Sequence, residues 1–82
     1  MADEQTPNVP ALQLFGETIH LRRRRLRLTQ GEVAARSGLS PTYVGEVERG
    51  ERNPTLLTIL RLAAALEIDP DLLLQPFKSR PD

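Results

Sequence analysis

The feature that most constrains this chain lies near its middle, where Gly38-Leu39-Ser40-Pro41 stops one short helical pattern and starts another. Glycine reaches the positive φ that ends a helix without steric cost. Two residues later Ser40 supplies an N-cap oxygen, and Pro41 takes the first helical position, where its missing N–H is no loss. A restart so close to the stop forces two short helices to meet at a sharp corner. Val33, Leu39, Val44 and Val47 supply apolar positions there, and Ala34 is small where the helices must approach. Gln30 to Arg49 is therefore predicted to fold as a bent helix pair.

The flanking segments carry similar punctuation. Residues 1–10 are polar and hold Pro7 and Pro10, which reads as a flexible N-terminal arm, and 76–82 reads as a flexible C-terminal tail. Between them, residues 11–75 form one helical domain. Helix 1 is expected from Ala11 to Arg27, with Leu12, Phe15, Ile19 and Leu26 on one stripe. Thr29-x-x-Glu32 spells a capping box opening helix 2, which ends near Ser37. Helix 3 runs from Ser40 to about Arg49. Thr55 caps helix 4, which reaches about Leu66 with Leu56, Ile59, Leu60, Ala63 and Leu66 facing inward, and Asp69-Pro70 opens a short fifth helix through Leu74. No strand pattern and no repeat is present, so the fold class is all-α, a compact five-helix domain.

Composition narrows the function. One Tyr, two Phe and no Trp leave an aliphatic core, which suits packed helices better than a sandwich of strands. The absence of Cys excludes disulfides, thiolate ligation and thiol nucleophiles, and a single His excludes a multi-histidine metal site. No apolar run approaches the roughly 20 residues needed to span a bilayer, and the acidic start of the chain is no secretory signal, so a soluble cytoplasmic protein is expected. Formal charge is balanced at eleven cations against eleven anions, but residues 20–36 hold Arg22, Arg23, Arg24, Arg25, Arg27 and Arg36 against Glu32 alone. The chain is locally basic and globally neutral. Ten of its cations are arginine, the side chain suited to bidentate phosphate and base contacts, although an arginine-rich helix can also be a merely solvated face.

On helix 3, Val44, Val47 and Glu48 share one side, while Thr42, Gly45, Glu46 and Arg49 lie opposite at i, i+3, i+4 and i+7. A solvated face would more often hold Lys, Glu and Ala than Thr and Gly. A polar helix face kept low by a glycine fits the major groove, where side chains near the helix N-terminus reach base edges. Glu48 projects with the valines, and a lone buried carboxylate is costly. Arg22 and Arg23 straddle the apolar stripe of helix 1, so a buried arginine–glutamate pair is expected to tie helix 1 to helix 3. Periodicity does not choose between the two arginines. His20 falls on the outer side of helix 1 and reads as a surface histidine, with Arg24 and Arg27 beside it as backbone contacts or solubilising charges. Asp69 and Asp71 read as helix-capping carboxylates.

Arg23, Leu28-Thr29-Gln30, Glu32-Val33-Ala34, Gly38-Leu39-Ser40, Val44, Val47-Glu48-Arg49-Gly50, Pro54 and Ala63-x-x-Leu66 together resemble the Cro/CI-type (XRE-family) helix-turn-helix domain, over Phe15 to Leu74. Within that family, the run from Thr42 to Pro54 is similar to restriction–modification controller proteins, although many other members share it. The resemblance implies a lambda-repressor-like DNA-binding domain with its helix-turn-helix at helices 2 and 3. It implies that the buried arginine is Arg23, paired with Glu48. It further implies DNA contacts by Thr29 and Gln30 at the start of helix 2, by Ser40, Pro41, Thr42, Tyr43, Glu46 and Arg49 on helix 3, and by Arg52 and Asn53 in the following loop. Three positions depart from the family's pattern. Arg27 stands where glycine is common and implies a strained turn. Pro41 replaces a frequently base-contacting polar residue. Glu46 is acidic in a negative groove and favours a cytosine amino group.

The expected partner is double-stranded DNA, read by a homodimer on a palindromic operator in transcription regulation. Leu57, Leu72 and Leu74 are candidates for the dimer contact or simply further core. A protein-interaction module, such as an antitoxin or anti-regulator, is the alternative, favoured by neutral charge, Glu46 and the leucine-rich C-terminal helices. Enzymatic function finds no nucleophile–base set, phosphate loop or ligand spacing, and no cofactor or small-molecule ligand is expected.

Overall fold

A computed structural model describes residues 9–78. Five helices follow in order: α1 (Val9–Arg25), α2 (Gln30–Ser37), α3 (Pro41–Glu48), α4 (Leu56–Ala65) and α5 (Pro70–Leu73), then a single 3-10 turn at Gln75–Phe77. α3 packs against both α2 and α1, while α2 rests on α4 and α4 on α5. The third helix is thus held from two sides and presents its remaining side outward.

The local signals act as expected at three of the four caps. Thr29 Oγ1 accepts from the Glu32 N–H at 3.0 Å while Glu32 Oε1 accepts from the Thr29 N–H at 2.8 Å, a complete capping box. The Ser40 hydroxyl oxygen accepts from the Tyr43 N–H at 3.1 Å, and Thr55 Oγ1 from the Thr58 N–H at 3.2 Å. Asp69 departs from expectation. Its side chain makes no capping bond, and its backbone carbonyl alone accepts from Leu72 and Leu73 at 3.0 Å. Boundaries also move. α1 begins at Val9, inside the expected arm, and stops at Arg25, two residues early. Pro76 and Phe77, expected in the tail, belong to the 3-10 turn. The rest of the expected arm (1–8) and tail (79–82) lies outside the described residues.

Four helices end by the same device. One residue turns left-handed, and the N–H after it reaches back five residues to a helix carbonyl: Leu28 to Arg23 at 3.1 Å, Leu39 to Ala34 at 3.0 Å, Glu51 to Glu46 at 2.9 Å and Ile68 to Ala63 at 3.1 Å. Gly38 (φ 73°) and Gly50 (φ 76°) serve α2 and α3, but Arg27 (φ 58°) and Glu67 (φ 56°) serve α1 and α4. The strained first turn expected at Arg27 is present. Chain geometry demands the left-handed conformation there even from a side chain that resists it.

Phe15, Ile19, Val33, Val44, Val47, Leu62, Leu66 and Leu73 form the buried core, with Ala34, Ala63 and Ala65 where helices approach. The stripe on α1 is as expected, with Leu12 and Leu26 half-buried at its ends. On α4 the expected face is partly wrong: Leu56 and Leu60 are exposed and Leu62 is fully buried. Leucine surrounds this helix on all sides, so its apolar content gives no unique direction. The buried side is set by the α2 and α5 surfaces it meets. Leu74 packs against the core, half-buried, whereas Leu57 and Leu72 remain exposed.

Replacing Arg27 with glycine relieves a penalty of roughly 1–2 kcal/mol for an L-residue in this conformation, against about 0.5–1 kcal/mol of added chain entropy. The Arg27→Gly chain should melt a few degrees higher in a circular-dichroism scan. Arg27→Ala, which keeps the strain, should not; an equal rise in both would assign the effect to the lost charge instead.

Candidate nucleic-acid interface

The site is built on a single carboxylate. Glu48, at the last position of α3, has a side chain only 5% exposed, and three side chains from two other helices converge on it. From α1, Arg23 Nε donates to Oε2 at 2.6 Å and Arg23 Nη2 to Oε1 at 3.0 Å. His20 Nδ1 lies 2.9 Å from Oε1 and, because a carboxylate only accepts, carries the hydrogen. From α2, Gln30 Nε2 donates to the same oxygen at 3.1 Å. Burial by itself would raise the Glu48 carboxyl. Hydrogen bonds from Arg23, His20 and Gln30, with the charge of Arg23, outweigh it and hold the group below the usual carboxylate range. The same bond to Glu48 raises Arg23 against its own burial. Arg23 Nη1 also donates to the Leu28 carbonyl at 2.9 Å, so one guanidinium closes the turn after α1 as well as fixing α3.

Arg23 and Glu48 thus form the pair expected from the sequence. One expectation about their neighbours needs correction. His20 is not a free surface side chain but a half-buried partner of Glu48. Gln30 donates one of its amide N–H groups to Glu48 and keeps the other, and its carboxamide covers Gly45. Gly45 is accordingly buried beneath Gln30 and Arg49, not a gap in an open face. Gly16 also belongs to this junction. A side chain there would drive into the backbone carbonyls of Val47 and Glu48, so its absence lets α1 cross the end of α3 at backbone distance. His20 was legible in principle: it lies three residues before Arg23, on the same side of α1 as the guanidinium that needs a carboxylate.

Thr29, Ser40, Pro41, Thr42, Arg49, Arg52 and Asn53 are exposed, and Tyr43 and Glu46 half-buried. Thr29, Gln30, Gly31 and Pro41 line one open concavity with Arg23, Arg24 and Arg27, so the N-termini of α2 and α3 open onto it together with three cations, of which Arg23 is engaged by Glu48. Backbone N–H groups at helix starts and arginines favour anions in such a place. Tyr43 packs partly against the core. Arg52 Nε donates to Glu46 Oε1 at 3.0 Å, with its guanidinium 5.7 Å from the centre of the Tyr43 ring. Arg49 makes a two-point pair with Glu51 at 3.0 and 3.2 Å. Asn53 stands apart, at the rim of an apolar hollow with Leu12, Phe15 and Ile59.

The arginine cluster divides by task. Arg22 donates to the Leu66 and Glu67 carbonyls at 2.9 and 2.8 Å, and Arg36 to the Ala65 carbonyl at 3.3 Å and Glu67 Oε2 at 3.0 Å. Both cap the carbonyl end of α4, where cations are favoured. Neither role was visible in the sequence, because both partners lie about thirty or more residues away. Among the described residues, Arg24, Arg25 and Arg27 carry no ion pair. No helix of the described residues is long and apolar enough to cross a membrane.

Comparison with known proteins agrees with this geometry. The HTH_3 family profile, described as helix-turn-helix, matches residues 19–73. An uncharacterized HTH-type transcriptional regulator of Sinorhizobium fredii, y4dJ, is 44% identical over 69 residues, covering 84% of this chain and 90% of the relative. Among solved structures, the restriction–modification controller protein C.AhdI from Aeromonas hydrophila superimposes with a TM-score of 0.76 at 45% identity, over 78% of this chain and 97% of that one. The P22 c2 repressor in complex with a synthetic operator gives 0.67 at 34% identity, over 72% and 89%. Against the whole repressor C2 of Salmonella phage P22, the chain is 36% identical over 63 residues and spans 29% of its length.

Because the Glu48 carboxyl is depressed in the folded chain, its stabilisation is fully present above the unfolded carboxylate value of about 4.3 and is lost as pH falls through the lower folded value. Glu48→Gln should therefore cost about 3 kcal/mol at neutral pH. The gap between the two chains should narrow as pH drops below about 4 in urea titrations. A gap independent of pH would contradict the charged pair.

Proposed function

The chain belongs to the XRE-type helix-turn-helix family of transcriptional regulators, and from that premise we propose that it binds a palindromic operator as a homodimer, with α3 in the major groove. One observation carries the reading. The buried contacts of α3 are spent on α1 and α2, and its Thr42–Glu46 side is left outward beside the paired starts of α2 and α3. A helix held from behind by an ion pair and open in front has the width and rigidity that groove readout requires. Thr29, Gln30, Ser40 and Pro41 border the strand backbone, together with Arg24 and Arg27. Thr42, Tyr43, Glu46 and Arg49 face the bases, and Arg52 and Asn53 follow them. The similar P22 c2 repressor is in complex with a synthetic operator, which supports DNA as the partner.

One such domain reads half a site. Leu57 and Leu72, 58% and 50% exposed, are the candidate dimer contact, and the exposed Leu56 and Leu60 extend the apolar ridge on α4. Leu74 contributes from its half-buried position at most an edge. The same ridge is what a protein-interaction module would use, so the two readings separate on DNA.

Duplexes selected from a random library should be retained in mobility-shift assays, with affinity falling steeply as salt rises. The complex should contain two chains by sedimentation. Thr42→Ala should weaken the selected duplex about tenfold or more while changing non-specific binding less than about twofold. Equal losses on both would count against Thr42 as a base reader, and no retained duplex at low salt would favour the interaction module.

A further inference from the structure

Glu46 is the oddity of the proposed reading face, because it sets a carboxylate where phosphates already repel negative charge. The structure shows how that charge is handled. Glu46 and Tyr43 stand one turn apart on α3, and Arg52, from the segment that follows, folds back over both. Its Nε donates to Glu46 Oε1 at 3.0 Å and its guanidinium lies 5.7 Å from the Tyr43 ring centre. The Glu46 side chain is the more covered partner, 25% exposed against 54% for Arg52. The cation therefore lies along the glutamate and the ring.

We propose that Arg52 is a specificity-positioning residue, which neutralises Glu46 and aims its carboxylate so that the remaining lone pairs accept from the exocyclic amino group of a cytosine in the major groove. The proposal rests on α3 being the base-reading helix. Three physical points carry it. A carboxylate is an acceptor only, and cytosine N4 is the donor that such a group matches in the groove. A flexible, unpaired glutamate would be pushed away from DNA, whereas a paired one brings no net charge. Lastly, an arginine stacked on Tyr43 has lost part of its rotamer freedom already, so the pair is preformed before DNA arrives. Arg52 acts here through Glu46, where a phosphate clamp would act on the backbone directly.

The test uses the full chain, its selected duplex, and duplexes with each base pair exchanged in turn. Dissociation constants are measured for the unaltered chain, Arg52→Ala, Arg52→Lys, Glu46→Ala and the double variant, with melting curves confirming that each folds. Arg52→Ala should lose about tenfold of discrimination at one base pair, the same one at which Glu46→Ala loses it. The double variant should lose no more there than Glu46→Ala alone. Arg52→Lys should recover part of that discrimination, and the salt dependence should change little. A loss uniform across all duplexes, with the salt slope reduced by about one, makes Arg52 a phosphate contact and overturns the proposal while α3 readout stands. If the unaltered chain discriminates among no duplexes, the base-reading premise falls and the proposal with it.

Discussion

The buried carboxylate of Glu48 is the point on which the rest of this structure depends. Four hydrogen bonds from Arg23, His20 and Gln30 bring α1, α2 and α3 to one place. Apolar packing alone would hold α3 near its neighbours but would leave its rotation loosely specified, since Val44 and Val47 can slide on an aliphatic surface. The directional Arg23–Glu48 pair favours the observed rotation over its neighbours, which is the claim tested below. Gly16 makes the junction feasible by letting α1 cross at the Val47 and Glu48 carbonyls, and the glycine at 45 leaves room for Gln30. The outward face of α3 is thus a consequence of what its inward face must satisfy.

Electrostatics in this chain are local. A net charge of zero conceals a division in which Arg23 holds the core and Arg22 with Arg36 caps α4, leaving Arg24 and Arg27 beside the starts of α2 and α3. Counting cations along the sequence overstated the charge available to a polyanion, since half of the cluster is engaged within the fold. The outward side of α3, the proposed reading face, is nearly balanced, with Arg52 on Glu46 and Arg49 on Glu51. On that proposal, a balanced surface would gain little from general attraction to DNA and most where hydrogen-bond patterns match.

The helix pair and its caps were legible because each is signalled within a few residues, and an arginine–glutamate tie because of charges on an apolar side, with the choice of Arg23 over Arg22 implied by the family resemblance. The bonds of His20 and Gln30 to Glu48 were missed for one shared reason: their partner lies 28 and 18 residues away, and helical periodicity does not say what stands opposite. α4 shows a different limit. Leu56, Leu57, Leu60, Leu62 and Leu66 surround the helix, so hydrophobicity gave Leu56 and Leu60 the wrong side and missed Leu62. Arg27 was recognised as a strained position because the family resemblance places glycine there, whereas Glu67, in the same conformation, carried no comparable signal.

A double-mutant cycle on Arg23→Met and Glu48→Leu, read as unfolding free energy at neutral pH, tests the central tie most directly. Each single replacement strands a buried charge, and the double replacement removes both, so the account predicts a coupling on the order of 2 kcal/mol, with the double variant far more stable than the sum of the singles implies. Additive losses within about 0.5 kcal/mol would show that the two side chains act independently and that α3 takes its orientation from packing alone.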